Sequence, residues 1–155
     1  MEIGEDDLIF ERAFDTEGLS SFNCGVRQLD ILIHKKVDGL RDFILNNDCD
    51  AFFVYHNGIP VAVFVYSAGV LETEDGKYDA TEIDFIAVRN NYREQGIGRR
   101  ILDVISLNSL LNRRNFLTVG AYFNKKYSAQ GFYQKCGFEQ LSESTDHIVP
   151  MFKEL

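Results

Sequence analysis

The apolar residues between Ser20 and Asn46 fall at Phe22, Val26, Leu29, Leu32, Ile33, Val37, Leu40, Phe43 and Ile44. Intervals of three and four predict helix with one buried face. Gly39 would divide that helix in two. Elsewhere the pattern is that of strands. Leu8 to Phe14 predicts the first. "DAFFVYHNGIPVAVFVYSAGVL" holds two β-rich runs joined at His56-Asn57-Gly58, a hairpin signal. "ATEIDFIAV" predicts another strand. Gly98 to Asn112 predicts a helix, with Ile101, Val104, Ile105 and Leu111 among its apolar positions. "NFLTVGAYF" reads as a strand, Tyr127 to Cys136 as a short helix, and "GFEQL" and "DHIVPMFKEL" as closing strands. The expected order is βααβββαβαββ, an α/β chain. Its alternating strands and helices predict parallel pairing inside a mixed sheet.

No repeat, low-complexity tract or linker interrupts this pattern, so residues 1–155 are read as one domain. The 155 residues are 45% hydrophobic and 13% aromatic, enough for a core and too apolar for global disorder. The three cysteines, Cys24, Cys49 and Cys136, are odd in number and widely spaced. That argues against a disulfide framework and against a zinc site, and no metal is expected. The start "MEIGEDD" lacks the basic and apolar regions of a signal peptide. The longest apolar run, Ile59 to Tyr66, is too short to span a membrane. A cytoplasmic protein is expected.

Charge adds a contrast. The chain carries a formal net charge of -8, yet residues 89–126 hold eight basic and two acidic side chains. Asymmetry of this kind suggests an anionic ligand for one part, against the plainer reading of a solvated helix face. The basic segment opens with "IAVRNNYREQGIGRRILDVI". A strand that enters a glycine turn and then a helix is a way to make an anion site. The first-turn N–H groups lack partners, the macrodipole adds positive charge, and glycine lets backbone approach a phosphate. Arg93, Arg99 and Arg100 can add charge-assisted hydrogen bonds. No Gly-Lys-Ser/Thr follows, which excludes a Walker A loop, and position 101 is isoleucine where a dinucleotide fold needs a third glycine.

What remains is Arg93-Glu94-Gln95-Gly96-Ile97-Gly98, and "EIDFIAVRNNYREQGIGRRIL" resembles the acetyl-coenzyme A motif of the GNAT superfamily of N-acetyltransferases. "AQGFYQKCGF" resembles the family's second segment, Ala-x-x-x-Tyr-x-x-x-Gly-Phe, with Ala129, Tyr133, Gly137 and Phe138 in place. The resemblance implies the GNAT fold, with its central parallel strands splayed and acetyl-coenzyme A as cosubstrate. It implies that the pantetheine arm pairs with Ile86, Ala87 and Val88. The pyrophosphate would be held by Arg93, Glu94, Gln95, Gly96, Ile97, Gly98 and Arg99. Many relatives carry asparagine seven residues before the tyrosine; here that position is Lys126, and Asn124 lies two residues earlier.

Acyl transfer to an amine needs a neutral amine, a donor to the thioester oxygen and a proton for the leaving thiolate. The resemblance makes Tyr133 the general acid, where periodicity alone would read core packing. Phe132 beside it is read as packing or as a cofactor contact. Glu82 is the candidate base. Strand alternation sets Glu82, Asp84, Ile86 and Val88 on one face, and "EIDFIAV" resembles the equivalent strand of the histone acetyltransferase branch. Asp84 and a water chain are the alternatives. His34, His56 and His147 are isolated in sequence and read as surface or loop residues, and Cys136 as packing.

"SFNCGVRQLDILIHKKV" is similar to a helix-one segment of GNAT toxins that acetylate aminoacyl-tRNA, and of their non-toxin relatives. The acidic charge argues against nucleic acid. It favours a cationic small-molecule or peptide amine as acceptor. The expected function is N-acetyl transfer from acetyl-CoA to a primary amine by direct attack in a ternary complex. The alternatives are a toxin acting on aminoacyl-tRNA and a non-catalytic CoA-binding sensor or interaction module. No membrane partner is expected; a homodimer is compatible with the family.

Overall fold

A computed structural model describes residues 7–125 and 128–155; the side chain of Gln28 is also outside the description. The elements are β1 (Leu8–Ala13), α1 (Glu17–Ser21), α2 (Arg27–Gly39), α3 (Arg41–Leu45), β2 (Cys49–His56), β3 (Ile59–Thr73), β4 (Gly76–Val88), α4 (Ile97–Leu111), β5 (Phe116–Tyr122), α5 (Gln130–Lys135), β6 (Glu139–Gln140) and β7 (Ile148–Glu154). The strands form one sheet in the order β1-β2-β3-β4-β5-β7-β6. The predicted parallel pair is β4 with β5, in register from Ala80↔Phe116 to Ile83↔Val119. β4 runs on past that last pair to Val88. No helix among the described residues is long and apolar enough to cross a membrane.

The chain forms two compact units. Among the described residues, one comprises 7–67 and 84–102, the other 68–83, 103–125 and 128–155. In the first, β1 pairs antiparallel with β2, and β2 with β3. The predicted hairpin turns at Asn57 (φ 51°) and Gly58 (φ 77°), two positive values that suit a type I′ turn between twisted strands. Phe52, Phe64 and Tyr66 stack at 5.2 to 6.2 Å between ring centroids, and Val54 and Val61 to Val65 are buried.

The helical stretch before β2 departs from expectation. Three helices replace two, and Phe22 to Val26 is not helical. Phe22 is extended, Gly25 has φ +96°, and the Asp30 carboxylate accepts hydrogen bonds from the Cys24 and Gly25 amides at 2.6 and 3.3 Å. That side chain replaces the carbonyls a continuous helix would have offered. The predicted break near Gly39 is present: α2 ends there and α3 begins at Arg41. Val37 and Ile44 are buried as the period required, whereas Phe43 is exposed.

In the second unit β5 and β7 pair antiparallel from Phe116↔Glu154 to Tyr122↔Ile148, and β6 adds two residues beside β7. The predicted strand "GFEQL" is thus reduced to Glu139 and Gln140. Two fully buried hydroxyls close a ring: Thr81 donates to Ser109 (2.8 Å), Ser109 to the Arg114 carbonyl (2.7 Å), and Arg114 Nε to Thr81 (2.7 Å). With each polar atom satisfied, the ring fixes the end of α4 to β4 at no unpaired cost.

The short helix predicted over Tyr127 to Cys136 is observed as Gln130–Lys135; Tyr127 and Lys126 lie outside the described residues. Its end explains the Tyr-x-x-x-Gly-Phe spacing. Gly137, at φ +93°, donates to the Gln134 carbonyl (3.0 Å), and Phe138 donates to the Tyr133 carbonyl (3.0 Å). This is the Schellman stop, in which glycine supplies the left-handed residue. It returns the Phe138 ring edge-on to Tyr133 at 5.2 Å.

Candidate active site

The first group of candidate residues lies where β4 gives way to α4. Arg89 is anchored twice to β3: its amide donates to Val61 O (2.8 Å) and its Nε to Pro60 O (2.7 Å). A 3-10 turn, Asn90–Tyr92, follows. Glu94 (φ 61°) and Gly96 (φ 84°) then reverse the chain into the helix. The first i−4 hydrogen bond is Arg100 N–H to Gly96 O, at 3.1 Å. The amides of Ile97, Gly98 and Arg99 therefore precede the helical ladder. The first turn holds no acidic residue, and Arg99 and Arg100 stand in it. Cations there oppose the macrodipole, an unfavourable placement that an anion would reverse. The missing Cβ at Gly96 and Gly98, the unladdered amides and the arginines together fit a phosphate group.

The other predicted cofactor residues divide by exposure. Ile86 and Val88 are half-buried on the more open face of β4, while Ala87 is buried on the opposite one. Ile97 is buried too, so its side chain belongs to the core and only its backbone serves the turn. Arg93 is half-buried, with Nε 3.4 Å from Val88 O. Gln95 reaches back to Asn91 O at 3.3 Å.

The loop ahead of α2 braces this turn. Cys24 O accepts from the Asn90 amide at 2.6 Å, and a Cβ on Gly25 would lie 3.3 Å from Asn90 Cβ. The Arg89 guanidinium sits over the Phe22 ring at 5.4 Å, and His34 Nε2 contacts Phe22 O at 3.0 Å. So the Phe22, Cys24 and Gly25 of the helix-one segment stand before α2 rather than in it. Sequence reasoning missed Asp30, which holds the loop; the available signal was a carboxylate a few residues after a Cys-Gly pair at a helix start. Burial pushes the Cys24 thiol up, with nearby Arg93 pulling the other way.

The candidate base and acid belong to the second unit. Glu82 is exposed, between buried Thr81 and Ile83. Gly69 lies beside it: a Cβ there would be 3.4 Å from Glu82 Cβ and 3.9 Å from Oε2. Glu82 lines a cavity of about 340 Å³ with Gly69, Val70, Leu71, Glu72, Thr118 and Leu141. Tyr133 is buried between Phe132 and Phe138, at 5.1 and 5.2 Å, and Phe132 is 36% exposed. Asn124 Nδ2 lies 3.4 Å from the Tyr122 hydroxyl.

Asp84, the alternative base, belongs to the first unit and is engaged there. Ser67 Oγ donates to its carboxylate at 3.1 Å, and Lys36 Nζ donates to its backbone carbonyl at 2.9 Å. The remaining candidates have structural surroundings. His56 packs edge-on to Tyr92, and His147 Nδ1 contacts Phe123 O at 3.2 Å. All three cysteines are buried and none forms a disulfide. Burial, with Asp84, Asp50 and Asp48 nearby, pushes the Cys49 thiol up to about 11.

Comparison with known proteins supplies the family. Residues 48–140 match the acetyltransferase (GNAT) domain family. No curated protein matches the sequence. Similar solved structures include AtaTR bound with acetyl-CoA, at 20% identity and a TM-score of 0.69 over 96% of this chain and 94% of that one. AtaT complexed with acetyl-methionyl-tRNAfMet is 19% identical, with a TM-score of 0.66 over 96% and 95%. An IAA acetyltransferase from Bacillus cereus is 20% identical, with a TM-score of 0.58 over 96% and 99%. At such identities the likeness is one of fold. The family match covers more than half the chain and both glycine-bearing segments that the sequence singled out, so this protein belongs to the GNAT acetyltransferase family, whose cosubstrate is acetyl-CoA.

Proposed function

We propose that the whole chain acts as one N-acetyltransferase domain, moving the acetyl group of acetyl-CoA directly to a primary amine in a ternary complex. The observation that carries this is the start of α4: a positive-φ glycine, three amides ahead of the ladder and two arginines in the first turn. These groups would hold the pyrophosphate, with Arg93 beside them, and the β4 backbone at Ile86 to Val88 would hold the pantetheine arm. The amine nitrogen attacks the thioester carbonyl, a C–N bond forms and the C–S bond breaks. Glu82, directly or through water, takes the proton that the nitrogen gives up. Tyr133 donates one to the departing thiolate, whose acid form has a pKa of about 8.5 in an ordinary thiol. Glu82 is favoured over Asp84 because it is exposed at a cavity while Asp84 is held by Ser67.

Mass-spectrometric detection of acetylated product across a panel of amines tests the reading. Tyr133→Phe is expected to lower kcat about 100-fold while acetyl-CoA affinity holds. Tight acetyl-CoA binding with no turnover on any amine would instead support a non-catalytic CoA-binding module.

A second reading, acetylation of aminoacyl-tRNA, has two supports: the Phe22 to Leu29 segment and a fold like that of AtaT complexed with acetyl-methionyl-tRNAfMet. The net charge of -8 weighs against it. It predicts growth arrest on expression that Tyr133→Phe relieves; normal growth at high expression would remove it.

A further inference from the structure

Acetyl transfer needs a base, an acid and a donor to the thioester oxygen, and Glu82 and Tyr133 fill only the first two roles. The first unit holds a group placed for the third. Lys36, on α2, is half-buried beside the fully buried Val37, whereas its neighbour Lys35 is exposed. Lys36 Nζ donates to the Asp84 backbone carbonyl at 2.9 Å. An ammonium carries three N–H donors, and that bond takes one. The Asp84 carboxylate is held separately, by Ser67 Oγ at 3.1 Å.

The order of groups along β4 sets what this ammonium would meet. Strand geometry repeats every second residue, so Asp84, Ile86 and Val88 present their backbone groups at one edge. At the far end of that edge Arg93 Nε reaches Val88 O at 3.4 Å, next to the α4 start. From Asp84 to Val88 is about 13 Å of strand. An extended pantetheine arm covers such a length. With the pyrophosphate at α4 and the arm along Val88 and Ile86, the thioester comes to the Asp84 end, where Lys36 stands.

We propose that Lys36 is a further catalytic residue, its ammonium donating a hydrogen bond to the thioester oxygen. The proposal rests on the acetyl-transfer reading and supplies the donor which that reading lacks. As the amine attacks, the carbonyl oxygen gains negative charge; the C–S bond breaks as the carbonyl re-forms. Lys36 keeps its proton throughout. Its hydrogen bond strengthens as the charge grows, so it acts on the barrier more than on ground-state binding. Asp84 then serves through its backbone, whose carbonyl aims the ammonium.

The test is the carbonyl carbon-13 resonance of labelled acetyl-CoA bound to the full chain, read beside kcat on a panel of amines. A hydrogen bond to the oxygen should move that resonance downfield from its position in free acetyl-CoA. Lys36→Met, which keeps the stem and loses the donor, should cancel the shift and lower kcat about 100-fold while acetyl-CoA affinity holds. Lys36→Arg, which keeps a donor, should recover part of both. Ser67→Ala removes a polar contact at the same β4 residue and should leave the resonance in place. A shift and a kcat unchanged in Lys36→Met would overturn the proposal and keep acetyl transfer. So would a loss of acetyl-CoA affinity with kcat held, which would make Lys36 a binding residue. A shift that depends on Lys36, with no amine acetylated by wild type, would keep the donor and remove acetyl transfer. No binding of acetyl-CoA by wild type would overturn both.

Discussion

The α4 start and the Glu82 cavity are built by opposite means. The first is backbone. The groups proposed to hold the pyrophosphate are consecutive amides, and the residues that shape the turn, Glu94, Gly96 and Gly98, are near neighbours in sequence. The second is side chain. Gly69, Glu82, Thr118 and Leu141 meet only because β3, β4, β5 and the segment after β6 are brought together. The lesson is that a backbone turn of this kind can be read as a local motif, whereas a cavity lined by side chains is a product of topology. The cradle's dependence on a positive φ also makes it brittle.

The largest expected effect separates the two regions. Gly96→Val places a β-branched residue at φ 84° and a side chain where phosphate would lie. Acetyl-CoA affinity by calorimetry should fall about 100-fold, while the amide NMR signals of Gly69, Thr118 and Leu141 around Glu82 stay in place. Loss of affinity together with displaced signals around Glu82 would break the comparison. Next comes the brace. Asp30→Ala leaves the Cys24 and Gly25 amides without their acceptor and should cost about 1–3 kcal/mol in denaturant unfolding. Acetyl-CoA binding should weaken with it, through Asn90, and Asp30→Asn, which keeps an acceptor oxygen, should recover much of both. An unchanged acetyl-CoA affinity in Asp30→Ala would sever the brace from the cradle.

The smallest effect is a pH dependence away from both sites. The Cys49 thiol is raised from 9.0 to about 11, so the folded state keeps a proton that the unfolded state loses. The associated stability is complete below pH 9 and is lost as the pH rises towards 11. Wild type should lose about 1–2 kcal/mol more than Cys49→Ala across that window. Parallel pH profiles for the two proteins would contradict the assignment.

These contrasts match what could be read in advance. Asn57-Gly58 and the Gly96 turn were legible because each encodes its own geometry in adjacent residues. The α4 helix was predicted one residue late at each end, from Gly98 to Asn112 against Ile97–Leu111. Phe22 to Val26 was misread as helix because its apolar spacing is helical, and the competing hydrogen bonds come from Asp30, a residue the hydrophobic pattern does not weigh. Glu82 was picked by alternation on β4 together with the resemblance of "EIDFIAV" to the histone acetyltransferase strand, but Gly69 beside it carries no signal until β3 and β4 are paired. Likewise the Thr81, Ser109 and Arg114 ring joins residues far apart in sequence, and no local pattern marks it.

A crystal structure with acetyl-CoA tests the central claim most directly. The pyrophosphate oxygens should lie about 3 Å from backbone nitrogens in the Gly96 to Arg99 turn. A pyrophosphate bound elsewhere on the chain, with those amides turned to solvent, would contradict the account.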